Sequence, residues 1–380
     1  MKTSLFLFIV ILVGASAVLA VAFFAPIPVP YYQDFSVMYF TDKGLINGIH
    51  IYDYPAQLTF IKTLTPPGFS FHPYPYPPWY ALATLLLGYL PIQVAARVWF
   101  FLNLGMLGLA AWLLMPGWKP TRRILGVLAA SLFIPAFGLL VVGQYSAPVL
   151  LGVALFLVAA RRKNAAWLAA GLLLMTFKPH IGGLLFLAGF GWLVLDRTSF
   201  SRRALWLSLA GGLLLLVLGF LADPAWPLTY LQSLGRYRDI PGVQTCGLCV
   251  SLSVTLVRLV AGQPSTQAAA GVSLALALLA GWLLIGRLRG RLKDPGVLLA
   301  SVAVLTLLLD PYLLNYDYIL LLVPLFWLAP RTIWLTLLVY FIPWVALALR
   351  QDGNSLYALA GLVTFILILH YNRHPTLKRD

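Results

Sequence analysis

The chain has 380 residues, 61% of them hydrophobic, and a mean hydropathy of +0.90. That much apolar surface excludes an ordinary soluble enzyme and points to a polytopic membrane protein. A net charge of +15 raises nucleic-acid binding, but in a membrane chain basic residues serve first as anchors on the cytoplasmic side.

Thr3 to Ala25 forms a first hydrophobic segment behind Lys2. Ala15-Ser16-Ala17 offers small residues at the spacing of a signal-peptide cleavage site, yet the segment is long enough to span and many spans follow. Next comes the longest polar interval, Pro30 to Tyr80, with Asp34, Asp42, Asp53, His72 and a dense set of Tyr and Pro. Further spans are expected near 93–115, 124–142, 146–160, 165–177, 180–195, 204–222, 266–286, 296–309, 316–330, 332–348 and 355–371. Several fall below the roughly 20 residues of an upright transmembrane helix, which suggests helices that stop at a cavity within the protein. Trp79–Leu90 and Leu248–Ala261 have the length of juxtamembrane pieces.

Orientation follows from charge. With both termini inside and those two pieces not crossing, 18 of the 26 Lys and Arg residues lie inside, and eight of the eleven Asp residues lie outside. The expected fold is therefore all-α: one domain over 1–380, about twelve transmembrane helices, and a first outer loop over 26–92. Every polar motif then falls on the outer face. A transporter more often carries its polar residues at mid-membrane, on broken helices.

Asp34, flanked by aromatics just past the first span, suits a general base. It equally suits the N-cap of a helix over Phe35–Ile46. Asp53 suits a cap or turn. His72 opens a rigid Pro/Tyr turn through Tyr74 and Tyr76 that can stack on a sugar ring or serve as an interfacial belt. Gln144 can hydrogen-bond a sugar hydroxyl or simply end a span. Lys178, in Lys178-Pro179-His180, is a lone outer cation between two spans, suited to a phosphate or to snorkelling. Arg236 and Arg238 are further outer cations. Asp317, in Asp310-Pro311-Tyr312 to Asn315-Tyr316-Asp317, is a costly acid at a membrane edge, either paired or capping. Cys246 and Cys249 are either free thiols or a small disulfide, and ligands for zinc are lacking nearby. Nucleotide-binding and serine-hydrolase motifs are missing.

Several features recur together. Gln33-Asp34-Phe35-x4-Phe40 is followed by Gly48-x3-Tyr52 and by Tyr74-x-Tyr76-Pro77-Pro78. Gly143-Gln144, Lys178-Pro179 and Pro311-Tyr312-x3-Tyr316-Asp317-x6-Pro324 complete the order. This resembles glycosyltransferase family 87 of the GT-C superfamily, over about residues 1 to 330. Some members carry Asn after the Gly-Gln pair, where Tyr145 and Ser146 stand here.

The resemblance implies a mannosyltransferase-like enzyme of the plasma (inner) membrane, without metal or other cofactor. It would use a polyprenyl-phosphate sugar at the extracytoplasmic face, with a lipid or glycan as acceptor. Asp34 would be the catalytic base of an inverting displacement. Lys178, then Arg236 and Arg238, would hold the donor phosphate. His72, Tyr76, Gln144, His180, Tyr312 and Asp317 would contact sugar or acceptor. A lipid-sugar flippase and a noncatalytic scaffold subunit are the competing readings.

Overall fold

The computed structural model describes residues 33–350 except 67, 70 and 289, together with 354–371 and positions 9, 12–14, 16, 17 and 20. The expected first span lies largely outside the described residues, though its described positions are helical. Among the described residues all regular structure is helical.

The long polar interval folds into helices of its own: α1 (Gln33–Ile46), α2 (Tyr54–Lys62) and α3 (Pro78–Thr84), followed by a 3₁₀ turn over Leu85–Tyr89. Asp34 sits inside the first turn of α1 rather than ahead of the helix, so the expected cap at that position is not observed. Asp53 does cap α2, accepting from the Ala56 N–H at 3.2 Å. Pro77 and Pro78 start α3, where a missing N–H costs nothing. Tyr39, Tyr52, Tyr74, Tyr76 and Tyr80 bury their rings in one core beneath the loop. Tyr52 donates to the Tyr76 carbonyl at 2.7 Å and so ties α2 to the proline turn.

The bundle follows the expected order. Its helices are α4 (Ile92–Leu114), α5 (Pro120–Ser131), α6 (Ile134–Val142), α7 (Ser146–Arg162), α8 (Ala165–Met175) and α9 (Pro179–Asp196). Then come α10 (Ser199–Ala222), α11 (Trp226–Arg238), α12 (Pro241–Thr245), α13 (Leu252–Ala261), α14 (Thr266–Leu288) and α15 (Pro295–Leu309). A 3₁₀ stretch over Asn315–Leu321 leads into α16 (Leu322–Leu328), and α17 (Ile333–Ala348) and α18 (Asn354–Tyr371) close the chain. Each of the eleven later spans read from the sequence corresponds to a helix or a helix pair. By length and composition five described helices suffice to cross a membrane, or six if α5 and α6 count as one span bent by 58°. The shorter apolar helices include α8, α15 and α17. The two segments read as juxtamembrane pieces form only α3 with its 3₁₀ turn, and the ten-residue α13.

Charge separates the two ends of the bundle. Helix α9 starts at Lys178 and stops at Asp196, whose carboxylate accepts from Thr198 at 2.7 Å and feels the charge of Lys163. Trp192, one turn before that end, donates to the Lys293 carbonyl at 2.8 Å. The basic loops therefore gather opposite Lys178.

Close crossings set the core. Helices α7 and α8 meet at Gly152 and Gly171, where a Cβ on either residue would lie 2.6 or 2.7 Å from the other's carbonyl oxygen. Rigid backbone faces rigid backbone there. We expect Gly152→Ala to cost about 1–3 kcal/mol, seen as earlier thermal unfolding in detergent.

Asp42, two turns along α1 from Asp34, is fully buried with neither oxygen hydrogen-bonded. The neighbouring Thr84 hydroxyl is directed to the carbonyls of Tyr80 and Ala81. Burial therefore pushes the Asp42 carboxyl well above the ordinary aspartate range. A carboxyl whose folded pKa is raised favours the fold below its unfolded pKa. That contribution fades as pH rises through the folded value. Stability is expected to fall over that window, and Asp42→Asn to flatten the slope, as measured by unfolding at a series of pH values.

Candidate active site

Three turns between helices deliver the central side chains. The first closes α6: Gly143 takes the left-handed conformation (φ 71°) and the Gln144 N–H returns to the Leu139 carbonyl at 3.0 Å. Such a helix stop favours glycine. Helix α4 satisfies the exposed carbonyls, Trp99 donating to Gly143 at 2.9 Å and Asn103 to Gln144 at 3.1 Å. The second turn links α8 to α9, with Lys178 just ahead of Pro179. It closes tightly because Gly182 has no side chain; a Cβ there would lie 1.9 Å from the Met175 carbonyl oxygen. The third is the 3₁₀ stretch that presents Tyr316 and Asp317.

Lys178 lies at the centre, only 1% exposed. Its ammonium donates to Asp317 Oδ1 at 2.6 Å, Gln144 Oε1 at 2.9 Å and Ser146 Oγ at 3.0 Å. It also stands over the Tyr316 ring, 4.9 Å from the centroid. Three protons meet three acceptors, so each is engaged. Ser146 passes its own proton to Asp317 Oδ1 at 2.5 Å, and the Leu314 N–H reaches Oδ2 at 3.4 Å. His180 Nε2 approaches Oδ2 to 3.7 Å and keeps about a third of its side chain exposed. Asp317 is thus both paired and a cap.

Asp34 joins from the loop. Its main-chain carbonyl accepts from the Tyr145 hydroxyl, which anchors α1 to the start of α7. Its carboxyl lies near the Gln144 and Tyr316 side chains and in the fields of Lys178 and Asp317. Gln144 in turn donates to the Tyr316 hydroxyl at 2.8 Å. Burial raises the Asp34 pKa above the usual value; the Gln144 side chain and the Lys178 charge work against that rise, and Asp317 works with it.

A cavity of about 1020 Å³ opens beside this cluster, lined by Tyr76, His180, Tyr230, Tyr237, Arg238 and Tyr312 among others. The hydroxyls of Tyr237 and Tyr312 share a hydrogen bond of 2.8 Å, and the His180 ring meets the Tyr312 ring edge-on. The far wall belongs to α13 and the start of α14. Cys246 and Cys249 are joined in a disulfide just behind that wall, and Arg258 of α13 donates to the Gly247 carbonyl at 3.0 Å. Gln244 and Thr245, immediately before the bridge, line the cavity.

Of the residues singled out in the sequence, Asp34, Gln144, Lys178, His180 and Asp317 come together, and Tyr76 and Tyr312 line the cavity. Arg238 stands at the rim, 76% exposed and paired with Asp239 at 3.3 Å. Arg236 and His72 are exposed and do not line the cavity. Ser146 and Tyr316 were not singled out as site residues, although Tyr316 is next to Asp317 and Ser146 is two residues past Gln144; membership of those two motifs was the available signal. Among the described residues, no three His, Cys, Asp or Glu side chains are grouped to hold a metal ion.

The sequence model of glycosyltransferase family 87 matches residues 74–311, more than half of the chain. The chain belongs to glycosyltransferase family 87. It is therefore a glycosyltransferase, and its apolar helices make it a membrane member of that family. No curated relative and no solved structure matches it. The family match is shorter than the resemblance read from the motifs. It begins after Asp34 and ends before Asp317, so these two carboxylates enter the site by geometry alone.

The buried pair yields a stability test. Lys178→Met leaves the Asp317 carboxylate buried without its cation and is expected to cost about 3–5 kcal/mol. Lys178→Met with Asp317→Leu should cost clearly less than the two single changes summed, in thermal unfolding of the purified protein.

Proposed function

We propose that this family 87 enzyme transfers a sugar, mannose by its resemblance to the mannosyltransferases, from a polyprenyl-phosphate donor to a lipid or glycan acceptor. The observation that carries the reading is the meeting of Asp34 with Gln144, Tyr316 and the Lys178–Asp317 pair beside a cavity large enough for a sugar and its acceptor.

Asp34 takes the proton of an acceptor hydroxyl. The hydroxyl oxygen attacks C1 of the sugar, the bond from C1 to the phosphate oxygen breaks, and polyprenyl phosphate departs with the bonding electrons. One displacement inverts the configuration at C1. A carboxyl kept above its ordinary pKa is a stronger base than a free aspartate, and Gln144 and Tyr316 orient it. Lys178 acts mainly through its field, because Asp317, Gln144 and Ser146 already hold its protons. It steadies the negative charge growing on the leaving phosphate and keeps Gln144 aimed at Asp34. His180 and Arg238, at the cavity, supply the hydrogen bonds a phosphate requires. Tyr76, Tyr237 and Tyr312 offer aromatic faces and hydroxyls to sugar rings.

The site works at the extracytoplasmic side of the plasma membrane in this reading. Two observations support that orientation. The basic loops collect at the opposite end of the bundle. A disulfide beside the cavity suits an oxidising compartment. Against the flippase reading, the buried charges sit at helix ends on one side of the bundle rather than at its middle.

Asp34→Asn is expected to lower transfer from a polyprenyl-phosphate sugar by about 100-fold or more, read by mass spectrometry of product from purified protein with membrane lipid extract. Undiminished transfer in that variant would overturn the mechanism. In the wild type the acid limb of the pH–rate profile should lie above the ordinary aspartate value of 3.8, since the base must be ionised to act.

A further inference from the structure

A second cavity lies at the basic end of the bundle, remote from Asp34. It measures about 380 Å³ and runs between α5 on one side and α16 and α17 on the other. Its wall is almost wholly apolar: Leu125, Ala129, Leu325, Phe326, Ile333 and Leu337 are representative. It lies along α5, which is bent by 58° from α6, and the small side chains of Ala129 and Ala130 border it.

The two hydroxyls in the wall already have partners. The Tyr340 hydroxyl donates to the Ala129 carbonyl at 2.9 Å, and the Thr336 hydroxyl to the Thr332 carbonyl at 2.8 Å. Water therefore finds little to bind. Ile333 and Leu337 are 47% and 37% exposed, so the groove opens sideways toward hydrocarbon. From Arg122 to Ala130 it follows about eight residues of helix, roughly 12 Å of depth at 1.5 Å per residue.

The mouth is cationic. Arg122 lines it and is exposed, Lys119 and Arg123 stand within the same turn, and Arg331 lies at the end of α16. The guanidinium of Arg123 stacks on Trp112 and that of Arg331 on Trp327, each 3.8 Å from the ring, which fixes two charges at this level. The Arg123 Nε is buried with no acceptor. A second copy of the chain docking face to face would set these arginines against their own copies.

We propose that this groove is a binding site for one anionic phospholipid, an acyl chain lying against Ala129 and Leu325 and the headgroup phosphate at Arg122, with Arg123 adding its charge from the neighbouring position. Basic pockets between transmembrane helices suit such headgroups. The site has a consequence for the other end. Leu322, Leu325 and Phe326 of its wall follow directly on the stretch that holds Tyr316 and Asp317. A seated lipid braces that helix from below.

The test needs no sugar transfer, so its outcome is separate from that of the enzymatic reading. Purified protein is mixed with dioleoyl phosphatidylglycerol or dioleoyl phosphatidylcholine in detergent micelles. Native mass spectrometry counts retained lipid, and thermal unfolding reports stabilisation. The wild type should retain one phosphatidylglycerol in preference to phosphatidylcholine and unfold at a higher temperature with it. Arg122→Gln, a change at an exposed position, should weaken phosphatidylglycerol binding about five-fold, the weight of one cation at an anionic lipid. Ala129→Phe, or Ala329→Phe from the facing wall, should abolish retention of that lipid. Equal retention of the two lipids by the wild type would overturn the proposal. So would unchanged phosphatidylglycerol binding in Arg122→Gln, or a dimer in the same spectra that Ala129→Phe disperses.

Discussion

The site depends on one buried ion pair. Lys178 and Asp317 sit 2.6 Å apart with almost no exposure, in surroundings where an isolated charge would be intolerable. The partner of each offsets the cost of burying it. The pair draws in Gln144 and Ser146 from one turn, Tyr316 from another and His180 from a third. Three separate stretches of chain, 144–146, 178–180 and 316–317, are thereby pinned to one point. The same pair contributes to the electrostatics that Asp34 meets, a cation and an anion whose fields act in opposite directions. Burial is the largest influence on the basicity of Asp34.

The scaffold around that pair is made of turns rather than of long uniform helices. Gly143 ends α6 in a left-handed turn, Pro179 starts α9, and a 3₁₀ stretch starts the α16 segment. Each leaves backbone polar groups that need partners inside the protein. Trp99, Asn103 and the Asp317 carboxylate provide them. Helix ends that stop at a cavity are also why several of the apolar helices are shorter than a bilayer alone would require. The helical outer loop then lies over these ends, held by Tyr145 to the Asp34 carbonyl and by Ser233 of α11 to the Tyr74 carbonyl at 2.7 Å.

Much of this was legible in the residue string, and the divide is physical. Apolar runs revealed the later spans, because hydropathy is a local property. Polar residues at span ends marked Gln144, Lys178, His180 and Asp317, because such residues in apolar surroundings need a reason. Partnerships were not legible. Lys178 and Asp317 are separated by 139 residues, and nothing local announces that this lysine meets a carboxylate rather than a free phosphate. Asp42 stands in the same polar interval as Asp34, yet it is wholly buried while Asp34 is half-buried. Both lie on α1 two turns apart, and only the packing of the tyrosine core separates their fates. Arg236 and His72 show the converse: suitable chemistry near the right place, directed away from the cavity.

The bridge between Cys246 and Cys249 has a practical side. It closes a tight ring directly after two residues of the cavity wall, and Arg258 fastens that ring to α13 through main-chain carbonyls. Both sulfurs are shielded within a small apolar cluster. Dithiothreitol or phosphine reductants, routine in preparing many membrane proteins, reach these sulfurs only when that cluster opens, and reduction there would remove one fastener of the cavity wall. Samples kept free of such additives retain that fastener.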